Sequence, residues 1–396
     1  MPQNAYIFNQ LHSLLPRDHF EYLVKKYDGN AYVKKYSCWN HFLVMLWAQL
    51  SGRESLRDIE GSLRAHRDKL YRLGMGMDIS RNNISYANAT REVAIFREFA
   101  QRVMDMSFGH IKADVSLLSS LSEGCRLSGF FAVDSSTVYL NRDRFGWSVP
   151  QKDRGGVKLH TLYDILREIP AMCLITGHEE RDQTFMEDYP YRRGGMYVFD
   201  KAYVKTSCLR RINEVPAFFV VRRKRGMAYS VLSEQAGIEA PVYGDKEILF
   251  TNRWAGKGYS GKLRLVQYYS RERNEVMDFL TNNFMIPAAM IAQAYRYRWN
   301  IEMFFKWIKQ HLHITRFYGT SANAVCIQIY VAVTAYCLVL LAKSLYGFEG
   351  TAYEMFRIIS VSLFERQPLG DIIERYKKHT TAKDTCFWPS LFDWDI

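Results

Sequence analysis

The chain has 396 residues, long enough for two or three structural units around at least one substantial core. At 48% hydrophobic and 24% charged residues it has the composition of an ordinary soluble globular protein, which excludes a disordered or fibrous chain. A formal charge of +12 concentrates polyanions around the protein, so nucleic acid is the first partner to consider.

Residues 1–110 carry helical periodicity, in Phe42 to Trp47 and again at Val93, Ile95, Phe96, Phe99 and Val103. Between these runs lie Ser55 to Glu60, a Gly-containing break at Leu73 to Gly76, and a second polar helix from Ser80. Ser80 is a suitable N-cap, and Arg81, Asn82, Ser85 and Asn88 are donors suited to phosphates and base edges. Residues 54–92 thus read either as a helix-turn-helix with its recognition helix from Arg81, or as a solvated helix of a bundle.

From residue 128 the pattern changes to strands. Gly129 to Val133 is a buried strand ending on Asp134, Gly156 to Tyr163 alternates as a second, and Ile169 to Ile175 makes a third. A short helix over 182–189 and a fourth strand, Met196 to Phe199 ending on Asp200, follow. Three strands, a helix and a fourth strand, with acids ending the first and fourth, is the order of a ribonuclease H-like core. A helix over 203–213 and a strand over 217–221 complete its first part, residues 128–224. Residues 225–285 show short strands and Gly-rich turns, a β-rich insertion whose last strand is Val276 to Leu280. Helical periodicity returns from Ala288 to beyond His311, within a second core segment of 286–347, and 348–396 form a C-terminal region with an apolar close. The longest apolar run, Ile329 to Ala342, falls short of the ~20 residues a bilayer span needs and reads as a buried helix. The N-terminus lacks a signal-peptide pattern, and the seven cysteines are scattered with no C-x-x-C pair. These features fit a reduced, cytoplasmic, nucleoid-associated protein with no membrane role.

The most specific stretch is Tyr295 to Lys309, which contains Tyr-x2-Arg-x3-Glu-x6-Lys. Offsets of 0, 3, 7 and 14 fall on nearly one face of a helix, so Tyr295, Arg298, Glu302 and Lys309 form a stripe with Lys306 one turn from the acid. The competing reading is a salt-bridged amphipathic helix, because Arg298 and Lys306 each lie four residues from Glu302. A carboxylate among cations suits a site that holds a metal and a phosphodiester together. Three carboxylates, Asp134, Asp200 and Glu302, suffice for two Mg²⁺ ions about 4 Å apart, since Mg²⁺ keeps water and substrate phosphate in its shell. Asp134 is expected to bridge both ions, with Asp200 and Glu302 holding one each and Mn²⁺ able to substitute. No Walker loop, G-x-S-x-G elbow or H-E-x-x-H pair is present, so ATP dependence is not expected. His160 either faces the metal site or sits satisfied in the sheet, and the basic run Arg222 to Arg225 is a DNA track or a solvated face.

With Asp134 in "VDSS", Asp200 in "FDKAY" and the Tyr-Arg-Glu-Lys signature, the chain resembles the DDE transposases of the insertion-sequence-four family over nearly its whole length. The resemblance implies a ribonuclease H-like fold behind an all-α DNA-binding domain, and an endonuclease that performs cut-and-paste transposition of a transposable element. It also implies terminal inverted repeats and target DNA as partners, and a homodimer in a synaptic complex. By the same resemblance, Asp134, Asp200 and Glu302 are the catalytic triad, and Tyr295, Arg298 and Lys309 contact the transposon end. Some relatives flip a base onto an aromatic residue while forming a hairpin, a role open to Trp254, which otherwise packs in the insertion. Two other functions stay open: an inactive transposase-derived DNA-binding protein, and a ribonuclease H-like nuclease that cuts without joining.

Overall fold

A computed structural model describes residues 5–76, 79–121, 126–148, 155–187, 189–236, 240–251, 258–271 and 274–380. The protein is α/β, with a helical N-terminal region and one large mixed sheet. Two compact units divide the chain: one takes 112–137 and 157–305, the other 1–111, 138–156 and 306–396.

Among the described residues the first unit is organised by nine strands, of which the end of β1 and the start of β2 fall in the segment 138–156: β1 (Gly129–Leu140), β2 (Gly155–Asp164), β3 (Ile169–Gly177), β4 (Gly195–Phe199), β5 (Phe218–Arg222), β6 (Tyr229–Glu234), β7 (Val242–Phe250), β8 (Leu263–Ser270) and β9 (Glu275–Thr281). Their order is β3-β2-β1-β4-β5-β9-β8-β7-β6. The central pairs β1–β4 and β4–β5 are parallel, while β2–β3 and the run β5-β9-β8-β7-β6 are antiparallel. Buried on both faces, the central strands read as unbroken apolar runs: the five residues Gly129 to Val133 and all five of β4 are buried.

One feature differs from the sequence-based expectation: β1 does not stop at Asp134 but runs on to Leu140, its burial falling from Asp134 onward. The strands of the stretch 225–285 extend the central sheet, β9 adding to β5 through Val220↔Thr281 and Val221↔Leu280. A buried pair holds this extension, with Arg264 Nε and Nη2 donating to Asp245 Oδ1 and Oδ2 at 2.8 and 2.6 Å. Arg264 Nη1 also donates to the carbonyls of Ile286, at 2.6 Å, and Asn283, at 3.3 Å, so the guanidinium's donors are used in a planar fork.

In the second unit the helix Ala322–Leu345 packs against Cys38–Leu50, Arg81–Thr90 and Val93–His110. It is longer than the apolar run suggested. Ser321 caps it, accepting from Ala324 N at 3.1 Å, and its first turns tolerate Asn323 and Gln328 because both are bonded. Asn323 Nδ2 donates to the carbonyls of Asn88 and Arg91 at 3.0 and 2.6 Å. Gln328, fully buried, accepts from Tyr318 N at 2.8 Å and donates to the carbonyls of His313 and Arg316. Long and apolar enough to cross a bilayer, this helix nevertheless has 94% of its apolar window buried inside the protein. The aromatic rings of Phe20, Trp39, Phe42 and Phe99 pack edge-on and stacked beside it to fill the N-terminal core.

Candidate active site

The site begins with strand register. β1 and β4 run parallel with Val133 opposite Phe199. The next residue on each is an aspartate, so Asp134, within β1, and Asp200, just past the end of β4, stand as neighbours at one inter-strand spacing, about 5 Å. Both stand at the carboxyl end of the parallel segment, where open α/β sheets place ligand sites. Asp200 leaves the strand into a 3₁₀ turn, Lys201–Tyr203, and its Oδ2 accepts from Ala202 N at 3.4 Å. Asp134 Oδ1 accepts from the Ser135 backbone N–H at 2.8 Å.

The remaining groups come from two helices rather than one. The first, Ala288–Arg296, ends before Tyr297 and Arg298, and the second, Trp299–His311, starts after them. At the junction the N–H groups of Arg298, Asn300 and Ile301 bond three residues back, to Tyr295, Tyr297 and Arg298, so the turn is tighter than an α-helix. The expected single-helix stripe is therefore corrected: Tyr295 is in the last turn of one helix, Arg298 in the link, and Glu302 in the first turn of the next. Tyr295 and Arg298 still reach the aspartates, and Glu302 joins them through Arg298. The Tyr295 hydroxyl donates to Asp200 Oδ1 at 3.3 Å, while Arg298 Nη1 donates to Asp134 Oδ2 at 3.0 Å and its Nη2 meets Glu302 Oε1 at 2.6 Å. Tyr295 is itself held by the Phe279 ring of β9, centroid to centroid 4.8 Å.

Burial raises the Asp134 carboxyl to about 6, with Glu302 and Asp200 adding like charge and Arg298 and the Ser135 N–H opposing. Burial opposes the charge on Arg298, but Tyr295, Asp134 and Glu302 more than offset it and hold the guanidinium above its usual range. Burial likewise pushes Tyr295 up to about 12, so its hydroxyl remains a donor at neutral pH. Three carboxylates are thus linked, partly buried, through one arginine and one tyrosine at the sheet's end.

Residues 126–338, more than half of the chain, match the transposase DDE domain. The chain belongs to the DDE transposase family. Residues 3–76 match a domain of unknown function, DUF4372. A putative transposase, y4zB, from Sinorhizobium fredii is 29% identical over 291 residues, covering 72% of this chain and 78% of the relative. A probable transposase for insertion sequence element IS5377 from Geobacillus stearothermophilus is 30% identical over 216 residues, 52% of this chain and 54% of its own. A putative transposase for insertion sequence element IS4SA from Synechocystis sp. is 24% identical over 328 residues, 81% and 87% of the two chains. The solved piggyBac transposase synaptic complex with hairpin DNA aligns over 90% of this chain and 77% of that one, at 10% identity and a TM-score of 0.41, a likeness too low to bear on mechanism.

DDE transposases use divalent metal ions. The donor set of this transposase suits such an ion chemically, because carboxylate oxygens are the ligands of hard cations. Among the described residues, however, no group of three His, Cys, Asp or Glu is drawn together closely enough to hold one. The Arg298 guanidinium, bonded to both Asp134 and Glu302, lies between two of the three carboxylates.

The other sequence candidates separate. Lys306 is exposed and Lys309 half-buried, its ammonium pushed down by burial; both lie past Phe305, in the helical unit. Arg81, Asn82 and Ser85 line the exposed face of their helix, and Ser80 caps it by accepting from Asn83 N at 3.2 Å. Asn88 does not belong to that face: it is buried, its Oδ1 2.8 Å from His41 Nε2. Residues 66–80, with the short helix Arg67–Leu70, separate this helix from Leu56–Ala65, where a helix-turn-helix has a tight turn of three or four residues. The basic run is largely used internally, Arg222 on Glu275, Arg223 on Asp278 and Lys224 on the Val204 carbonyl. Trp254 lies outside the described residues. His160 meets only half of the satisfied reading: it is buried and stacked on Phe185, with Nε2 2.9 Å from Thr176 Oγ1, but its Nδ1 is not hydrogen-bonded and faces Asp182 Oδ1 at 3.9 Å. Sequence reasoning missed Ser135, Lys158 and Asp182, which meet beside Asp134. Only the i,i+2 spacing of Lys158 and His160 on one strand face hinted at them.

Proposed function

We propose that this transposase excises and inserts its own element by cut-and-paste transposition, cleaving at terminal inverted repeats and joining the ends to target DNA. The observation that carries this reading is the convergence of Asp134, Asp200 and Glu302 on Arg298 and Tyr295 at the carboxyl ends of adjacent parallel strands. The strand order β3-β2-β1-β4-β5 supports a ribonuclease H-like core. Asp134, Asp200 and Glu302 would hold two Mg²⁺ ions, with Mn²⁺ as substitute. Those ions, when bound, supply activation of the attacking oxygen and charge stabilisation at the leaving oxygen.

The chain's own groups do the rest. Arg298 presents two N–H donors in a fixed fork, and a scissile phosphate entering the site competes for them with Asp134 and Glu302. Release from that fork frees both carboxylates. Tyr295 keeps its proton and orients Asp200 through Oδ1. Lys306 and Lys309 neutralise backbone phosphates of the element end, Arg81, Asn82 and Ser85 contact DNA from the N-terminal helix, and Trp254 is the candidate for stacking a flipped base. The working form is a homodimer in a synaptic complex, in the cytoplasm at the nucleoid, without ATP.

The test is a cleavage and strand-transfer assay with the purified chain, Mg²⁺ or Mn²⁺, and DNA carrying the repeats that flank the gene. Metal-dependent nicking and joining, absent in Glu302→Gln, is the expected result. Binding without cleavage by the unaltered chain identifies a DNA-binding derivative instead, and cleavage without joining identifies a nuclease.

A further inference from the structure

Beside the triad lies a second polar cluster that the mechanism above does not use. Asp182 opens the short helix between β3 and β4, and three groups from β1 and β2 converge on its Oδ1. Ser135 Oγ donates to it at 2.9 Å, Lys158 Nζ at 3.2 Å, and His160 Nδ1 stands at 3.9 Å. Lys158 also donates to the Glu180 carbonyl at 2.8 Å, tying the loop before Asp182 to β2. The His160 ring is fully buried, and burial pulls it down to about 4, so it faces Asp182 as the neutral imidazole. Lys158, Glu179, Glu180, Arg181, Asp182 and Ala202 line an open cavity of about 420 Å³, and Ala202 is the residue whose N–H holds Asp200. The cluster therefore touches both halves of the site, through Ser135 on one side and Ala202 on the other.

The key link is Ser135. Its backbone N–H holds Asp134 Oδ1 while its side chain is held by Asp182. It lies where β1 emerges from full burial, so apolar packing alone no longer fixes the backbone there. A carboxylate that must present a given oxygen to a cation needs such a support, since groups behind first ligands commonly set their orientation.

We propose that Asp182 is a positioning residue for the first catalytic carboxylate: clamped by Lys158, it fixes Ser135, and Ser135 fixes the orientation of Asp134. This rests on the reading of Asp134 as a metal-holding residue. Asp182 touches neither DNA nor metal in this scheme, so its loss lowers turnover and metal affinity and leaves DNA affinity alone.

The test compares Asp182→Ala, Asp182→Asn, Ser135→Ala and the Asp182→Ala/Ser135→Ala double variant with the unaltered chain and Asp134→Asn. Mn²⁺ binding to the full chain is read by the loss of the free-ion paramagnetic signal, and cleavage of repeat-bearing DNA is resolved into kcat and KM. Asp182→Ala and Ser135→Ala should each weaken Mn²⁺ binding and lower kcat by about 10- to 100-fold with KM unchanged. The double variant should be no worse than either single one, because both remove the same support. Asp182→Asn, which retains an oxygen to accept from Ser135, should recover most of both. Unchanged Mn²⁺ affinity in a folded Asp182→Ala or Ser135→Ala overturns the proposal, as do additive losses in the double variant. Should Asp182→Ala not fold, Asp182→Asn and Ser135→Ala carry the same comparison. If Asp134→Asn binds Mn²⁺ and cleaves like the unaltered chain, the reading of the triad fails and this proposal with it; if Asp134→Asn is dead while the Asp182 and Ser135 variants are normal, only the positioning role fails.

Discussion

Replacing the first carboxylate by its amide, Asp134→Asn, should abolish cleavage and at the same time stabilise the protein at neutral pH. Burial first, and then Glu302 and Asp200, raise Asp134 from its ordinary 3.8 to about 6 against the pull of Arg298. A folded-state value above the unfolded one means that the proton is bound more tightly in the folded chain. Stability is therefore fully present below about pH 4, and it falls as pH rises through 6. A displacement of that size corresponds to roughly 3 kcal/mol at most. With the Asp134 side chain 20% exposed, about 2 kcal/mol is the expected loss after screening. Asparagine resembles the protonated acid and escapes that loss, so in chelator the variant should match the unaltered chain near pH 4 and exceed it by about 2 kcal/mol at pH 8. Urea-unfolding midpoints across this pH range measure the gap. Excess Mg²⁺ should then close it, since a ligand at 100 times its Kd stabilises the binding form by about 2.7 kcal/mol and the amide holds the ion poorly. An Asp134→Asn chain that is equally or less stable at pH 8, or a gap that does not shrink in acid, would refute the electrostatic account of the site.

Asp200→Asn should lower strand cleavage by about 10³-fold or more while mobility-shift affinity for repeat DNA stays within about threefold. Arg264→Met leaves Asp245 buried without its partner and should cost about 3–5 kcal/mol in the unfolding midpoint, most of it restored by adding Asp245→Leu. Gln328→Leu strands the Tyr318 N–H and the carbonyls of His313 and Arg316, and should cost about 3 kcal/mol, with faster amide exchange over 312–320. Arg81→Ala with Asn82→Ala should weaken DNA binding at every sequence tested and reduce the salt slope by about 1; an unchanged slope would make that helix face merely solvated.

Much of the site was legible because local chemistry announces it. Apolar runs that end abruptly on an acid, at Val133–Asp134 and Phe199–Asp200, can be seen without any partner strand. The Tyr295 to Lys309 spacing was legible for the same reason. The break between the two helices was not, because a tightened link shifts the helical phase by less than the width of an apolar stripe. Nor was the internal use of the basic run, since Glu275 and Asp278 that neutralise it lie some fifty residues away and reach it only when β9 pairs with β5.

By itself the sequence singled out the candidate residues: two aspartates that end buried apolar runs, a glutamate among cations, and a net charge that favours polyanions. Those properties depend on residue type and on neighbours a few positions apart. Only the tertiary structure decided the register that sets Asp134 beside Asp200, the reach of Arg298 to Asp134 across 164 residues, and the meeting of Asp182 with Ser135. Parallel strand pairing and helix docking are set by burial of whole faces against distant partners, which no local spacing encodes.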